Sequence, residues 1–88
     1  MKIKTIHYSR NFVKKWKKLL LQEKDRFRAR EKIFRQDCFD ERLKTHKLKG
    51  RLSHLWSFSV DFKKRVLFGF KKEGVVLFYD FGSHQIYR

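Results

Sequence analysis

A chain of 88 residues has room for one domain, burying roughly 60–65% of what its unfolded form exposes, which excludes a deep catalytic cavity and favours a shallow groove. An aromatic fraction of 17% excludes a disordered basic tail. The net charge of +15 points to polyanionic partners, nucleic acid first.

The charge is uneven. Residues 1–50 carry 17 Lys and Arg against 6 acids, and residues 51–88 carry 7 against 3, so the first half supplies most of the field. Cys38 is alone, which rules out an internal disulfide, fits a reducing compartment and reads as a buried thiol. Residues 1–6 are basic without an apolar run behind them, and no stretch approaches the roughly 18 apolar residues of a membrane span. A cytoplasmic protein with no membrane contact is expected, as one domain over 1–88.

In chain order, residues 2–8 alternate, with Ile3, Ile6 and Tyr8 bracketing polar positions, which predicts a short strand at or near a sheet edge. Ser9 is placed to cap a helix in which Phe12, Val13, Trp16, Leu19 and Leu20 recur at helical spacing above a lysine-rich outer face. Asp25 then predicts the cap of a second helix, with Phe27, Ile33 and Phe34 inward and Arg26, Arg28, Arg30, Lys32 and Arg35 outward. The two form a hairpin. A polar, basic segment from Leu43 to the glycine turn at Gly50 follows.

Residues 56–61 alternate without a fault, Trp56, Phe58 and Val60 on one face and Ser57, Ser59 and Asp61 on the other. Turns at Phe62, Lys63, Lys64 and at Lys71, Lys72, Glu73, Gly74 lead into two more strands. The expected architecture is α+β: a short N-terminal strand, a two-helix hairpin, then an antiparallel meander of three or more strands. Helices on one face of this small curved sheet would leave the other face free for polar residues to converge.

His46, Asp61, Arg65, His84 and Tyr87 are the candidates for chemistry there. A histidine can move protons near neutrality, and an arginine can hold a phosphate and stabilise added charge in a transition state. RNA supplies its own nucleophile in the 2′-hydroxyl, so no metal or other cofactor is expected. Each candidate also has a plain structural reading: Asp61 as a turn cap, Arg65 as a cross-strand partner, Tyr87 as a packing ring. His7, His54 and Cys38 lack metal-ligand spacing, and neither a glycine-rich phosphate loop nor a modular RNA-binding signature is present.

Four stretches in order, Leu43 with His46, Lys47, Leu48, Lys49 and Gly50; Leu55 through Val60; Lys64 through Phe68; and Gly82, Ser83, His84 with Tyr87 and Arg88, resemble the RelE/ParE superfamily of bacterial type II toxins. The nearest likeness is to the RelE-type mRNA interferases of the YafQ and YoeB branches. The resemblance implies a RelE-like fold, metal-independent cleavage of mRNA in the ribosomal decoding site, and inhibition by a cognate antitoxin. The toxin alone is expected as a monomer, with a larger assembly when the antitoxin binds.

Residue by residue, the resemblance makes His46 or Asp61 the base and His84 the acid, or the reverse. It makes Arg65 the phosphate contact and Tyr87 the ring that stacks on or orients substrate. Phe81 departs from branches that carry a basic residue before the closing glycine, so one phosphate contact is either missing or supplied by Arg88. Glu41 lies one position from the glutamate of the YoeB branch. Lys44, Lys47, Lys49, Lys63 and Lys64 are the expected contacts to mRNA or ribosomal RNA. Two other readings stand beside the nuclease: a ParE-like gyrase inhibitor without nuclease activity, and an inactive toxin-like protein that only binds nucleic acid.

Overall fold

The computed structural model describes residues 1–83 and Ile86. The first alternation gives β1 (Thr5–Tyr8), with Ile6 buried. The Ser9 hydroxyl accepts the Phe12 N–H at 3.0 Å and opens α1 (Arg10–Lys17) as expected of a cap.

The second helix departs from the sequence reading. α2 (Leu21–Gln36) begins four residues before Asp25, which lies exposed inside it. The Glu23 carboxylate reaches back to accept the Leu20 N–H at 3.0 Å, so the helix satisfies an end donor from its own first turn and needs no cap at Asp25.

Beyond a 3-10 turn at Glu41–Leu43 come β2 (His46–Lys47), a second 3-10 turn at Gly50–Leu52, β3 (Trp56–Ser59), β4 (Arg65–Lys72) and β5 (Val75–Gly82). The sheet order is β1-β5-β4-β3-β2, with β1 parallel to β5 and every other pair antiparallel. The expected meander is therefore the centre of a five-stranded mixed sheet, and β1 lies at its edge.

The inward residues of the helices meet one face of the sheet. Phe34, fully buried, stacks on Phe58 with ring centroids 4.8 Å apart and meets Phe68 and Phe78 edge-on at 5.0 and 5.3 Å. Such pairs are worth about 0.5–1.5 kcal/mol each beyond their buried area. Cys38 is buried in the same core, and that burial pushes its thiol pKa up, away from reactivity.

One irregularity shapes this core. Phe68 pairs with Phe78 but Leu67 pairs with Asp80, so Tyr79 is an extra residue and β5 bulges. The bulge turns Phe81 inward, opposite Val66 and against Phe12 and Phe27 at 4.9 and 4.7 Å. α1 covers the β5 edge that β1 does not reach: the Ser9 hydroxyl donates to the Tyr79 carbonyl at 2.5 Å, and Lys15 Nζ donates to the Phe81 carbonyl at 3.1 Å while pairing with Asp80 at 2.6 Å. Among the described residues no helix is long and apolar enough to cross a membrane.

Candidate active site on the open face of the sheet

Paired residues on neighbouring strands share a face, as do residues two apart on one strand. His46 pairs with Ser57, Ser57 shares its face with Ser59, and Ser59 pairs with Arg65. Phe58 lies between the serines and faces the helices, so His46 and Arg65 share the face turned away from them. Two strands across and two residues along separate their Cα atoms by about 12 Å, a gap two long polar side chains can close on one phosphate.

His46 is set by the turn before it. Lys44 adopts the left-handed conformation at φ 53° and ψ 40°, and the Thr45 hydroxyl donates to the Cys38 carbonyl at 2.6 Å. Bent this way, the chain brings the Lys44 carbonyl within 3.0 Å of His46 Nδ1. A carbonyl only accepts, so Nδ1 carries the proton, and in the neutral ring Nε2 is the basic nitrogen. The residue is exposed to solvent.

Arg65 opens β4, half-buried, and its guanidinium donates to Ser59 Oγ at 2.8 Å across the base of the β3–β4 turn. The contact uses part of the guanidinium's donor set. Ser59 was not singled out in the sequence, although strict alternation across a short turn places it opposite Arg65. Gly82 lies in the same cross-strand row, and a Cβ there would sit 2.8 Å from Ile86 Cγ2, so the close return of the chain beside Arg65 requires glycine.

Asp61 is placed differently. Its Oδ1 accepts the N–H groups of Lys63 and Lys64 at 2.9 and 2.8 Å, and its Oδ2 lies 3.8 Å from Arg26 of α2. Partial burial raises its pKa, but the two turn amides, Arg26 and Lys64 outweigh that and hold the carboxyl below its ordinary value. The carboxylate is engaged with the turn and with α2 on the helix side.

Lys64 also turns to α2, forming an ion pair with Glu23, whose own pKa is lowered by that ammonium and by the Leu20 amide. Lys44, Lys47, Lys49 and Lys63 are exposed, as is Glu41 in its 3-10 turn. Lys49 shares a shallow hollow of about 300 Å³ with Leu48, Leu52 and Arg51, a cation the sequence reading passed over although it directly follows Gly50. His84, Tyr87 and Arg88 lie outside the described residues. No group of His, Cys, Asp and Glu that could hold a metal ion occurs among the described residues.

No protein-family profile and no curated protein sequence matches the chain. Solved structures do. The YoeB/ParE toxin from Agrobacterium tumefaciens is 13% identical with a TM-score of 0.77, over 92% of this chain and 99% of that one. The toxin–antitoxin complex DinJ-YafQ from E. coli contains a chain 15% identical, TM-score 0.70, over 98% and 97%. The archaeal RelE-RelB complex from Pyrococcus horikoshii contains one 18% identical, TM-score 0.73, over 94% and 96%. The chain therefore has the fold of the RelE, YoeB and YafQ toxins. Toxins of this fold are found crystallised with antitoxins.

Proposed function

We propose that this protein is the toxin of a type II toxin–antitoxin pair, a ribosome-dependent endoribonuclease that cuts mRNA in the decoding site. The observation that carries the reading is the placement of His46, with Nε2 as its basic nitrogen, and the Ser59-anchored Arg65 on one open face of a strongly basic domain. His46 Nε2 takes the proton of the substrate 2′-hydroxyl. The freed oxygen attacks phosphorus, the bond to the 5′-oxygen breaks, and His84 protonates the leaving oxygen, giving a 2′,3′-cyclic phosphate and a 5′-hydroxyl. Arg65 holds the non-bridging oxygens as charge builds on them.

The other assignments rest on placement for the described residues and, for Tyr87 and Arg88, on the resemblance alone. Asp61 shapes the turn that presents Arg65, which favours His46 over it as the base. Lys64 holds the same turn through Glu23. Lys44, Lys47, Lys49 and Lys63, with Arg88, supply phosphate contacts to mRNA or ribosomal RNA, and Tyr87 orients the substrate. A cognate antitoxin is the partner that silences it, and the ribosome places its action in the cytoplasm. Antitoxin complexes of proteins with this fold support the first of these.

The test adds purified protein to programmed ribosomes and maps mRNA ends, comparing wild type with His46→Ala, Arg65→Ala and His84→Ala. Decoding-site cleavage lost in each variant is the expected result. Cleavage by all three at the wild-type rate would sink the mechanism, and inhibition of gyrase supercoiling without mRNA cleavage would replace it with the ParE-like reading.

A further inference from the structure

Phe62 stands at the apex of the β3–β4 turn and is 97% exposed. Other phenylalanines of the chain, Phe34, Phe58, Phe68 and Phe78 among them, are buried almost completely. An aromatic ring held wholly in water contributes nothing to the core, and here it is held there by a braced turn. Lys64 closes the turn by accepting the Val60 N–H on its carbonyl at 2.9 Å, Asp61 caps it from within, and the Glu23–Lys64 pair ties it to α2. The apex is thus a fixed platform, and a contact made there loses little freedom on binding.

What surrounds the ring points to its ligand. Lys63 beside it is exposed, and Arg65, the phosphate-holding residue, lies three positions on, within about 11 Å along the chain. A flat exposed ring on a turn whose next residues are an exposed lysine and the phosphate clamp is a combination by which proteins hold single-stranded nucleic acid: the cations track the backbone while a base stacks on the ring. We infer that Phe62 is a base-stacking platform for the RNA nucleotide flanking the phosphate held by Arg65. The inference rests on the proposal that the substrate is RNA and adds a contact to a base where the rest of the site contacts phosphate.

The experiment titrates the protein with a short single-stranded RNA whose riboses are 2′-O-methylated, so that nothing can be cut. Phe62→Ala and Phe62→Leu should each bind about 5- to 150-fold more weakly than wild type, the range that loss of one stacked base gives. Phe62→Trp should bind as tightly as wild type, with quenching of indole fluorescence beyond that of Trp16 and Trp56. Unchanged binding by Phe62→Ala overturns the inference, and so does wild-type binding by Phe62→Leu, which would mark a merely apolar contact such as a protein partner makes. A lowered urea midpoint in Phe62→Ala would overturn it as well, because the ring would then be packing. Arg65→Ala separates the two levels. If it loses binding while Phe62→Ala does not, only stacking fails; if wild type binds no RNA, the RNA reading fails with it.

Discussion

The two faces of the sheet are built on opposite terms. Towards the helices, Phe58, Val66, Phe68, Val76 and Phe78 are all at most 1% exposed, and Phe78 meets the rings of Phe58 and Phe68 in tilted contacts. Away from them, the row from β2 to β4 carries His46, Ser57, Ser59 and Arg65, in which Ser57 is buried, His46 is exposed and Arg65 donates to Ser59. Concentrating stability in one face leaves the other free to carry charged groups whose loss need not unfold the domain. Substitutions should therefore separate stability from activity according to the face they touch.

The largest effect belongs to the core. Phe34→Ala removes the ring that Phe58, Phe68 and Phe78 share, and should lower unfolding free energy by about 3–5 kcal/mol in urea titration. For a domain this small that is most of its stability. A loss under about 1 kcal/mol would mean that the helix face is not the stabilising one.

Arg65→Ala is the counterpart on the open face. It should reduce mRNA cleavage on ribosomes by about 10²–10³-fold while lowering stability by clearly less than Phe34→Ala does, the lost Ser59 contact contributing about 1 kcal/mol. A stability loss as large as that of Phe34→Ala would erase the distinction between the faces.

Asp61→Ala tests the turn that joins them. Removing the acceptor of two turn amides should cost about 1–2 kcal/mol, with a pH signature whose sign is set by the lowered pKa. The folded carboxyl ionises more readily than the unfolded one, so its contribution is complete above the ordinary value of 3.8 and is lost as pH falls through the folded value. Wild type should thus lose stability more steeply than Asp61→Ala on acidification in urea titrations. Parallel acid limbs would show that the turn does not depend on the ionised carboxylate.

Much of this division was legible in the sequence because it follows a period of two. Residues 56–59 assign their own faces, and β4 and the start of β5 repeat the pattern, so the centre of the sheet was predictable, whereas Asp61, read as sharing the face of Ser57 and Ser59, leaves the strand for the turn and meets Arg26 of α2. The bulge was not. Strict alternation from Val76 and Phe78 would send Asp80 inward and Phe81 outward, and only tertiary demand, the space beside Phe12 and Phe27, selects the extra residue at Tyr79. The start of α2 was missed for a related reason, since Glu23 supplies by backfolding what a cap at Asp25 was expected to supply. In the site, residue types marked His46 and Arg65, but the contacts of Asp61 and Lys64 with α2 depend on which elements meet in space, and sequence distance hides that.

The smallest effect probes the seam where α1 meets the edge of β5. Ser9 accepts from Phe12 N–H as a helix cap and donates to the Tyr79 carbonyl as a strap to the sheet, two roles that one hydroxyl can fill together. Ser9→Ala should cost about 1–2 kcal/mol in urea titration, at the upper end for a cap because both bonds go. Ser9→Asp divides the roles. As a cap, aspartate equals serine, but an ionised carboxylate has no proton to give and would face the Tyr79 carbonyl with like charge. It should therefore be no more stable than Ser9→Ala, while Ser9→Thr keeps both functions. If Ser9→Asp matches wild type, capping alone accounts for Ser9, and the bulged half of β5 is held to α1 by Lys15 instead.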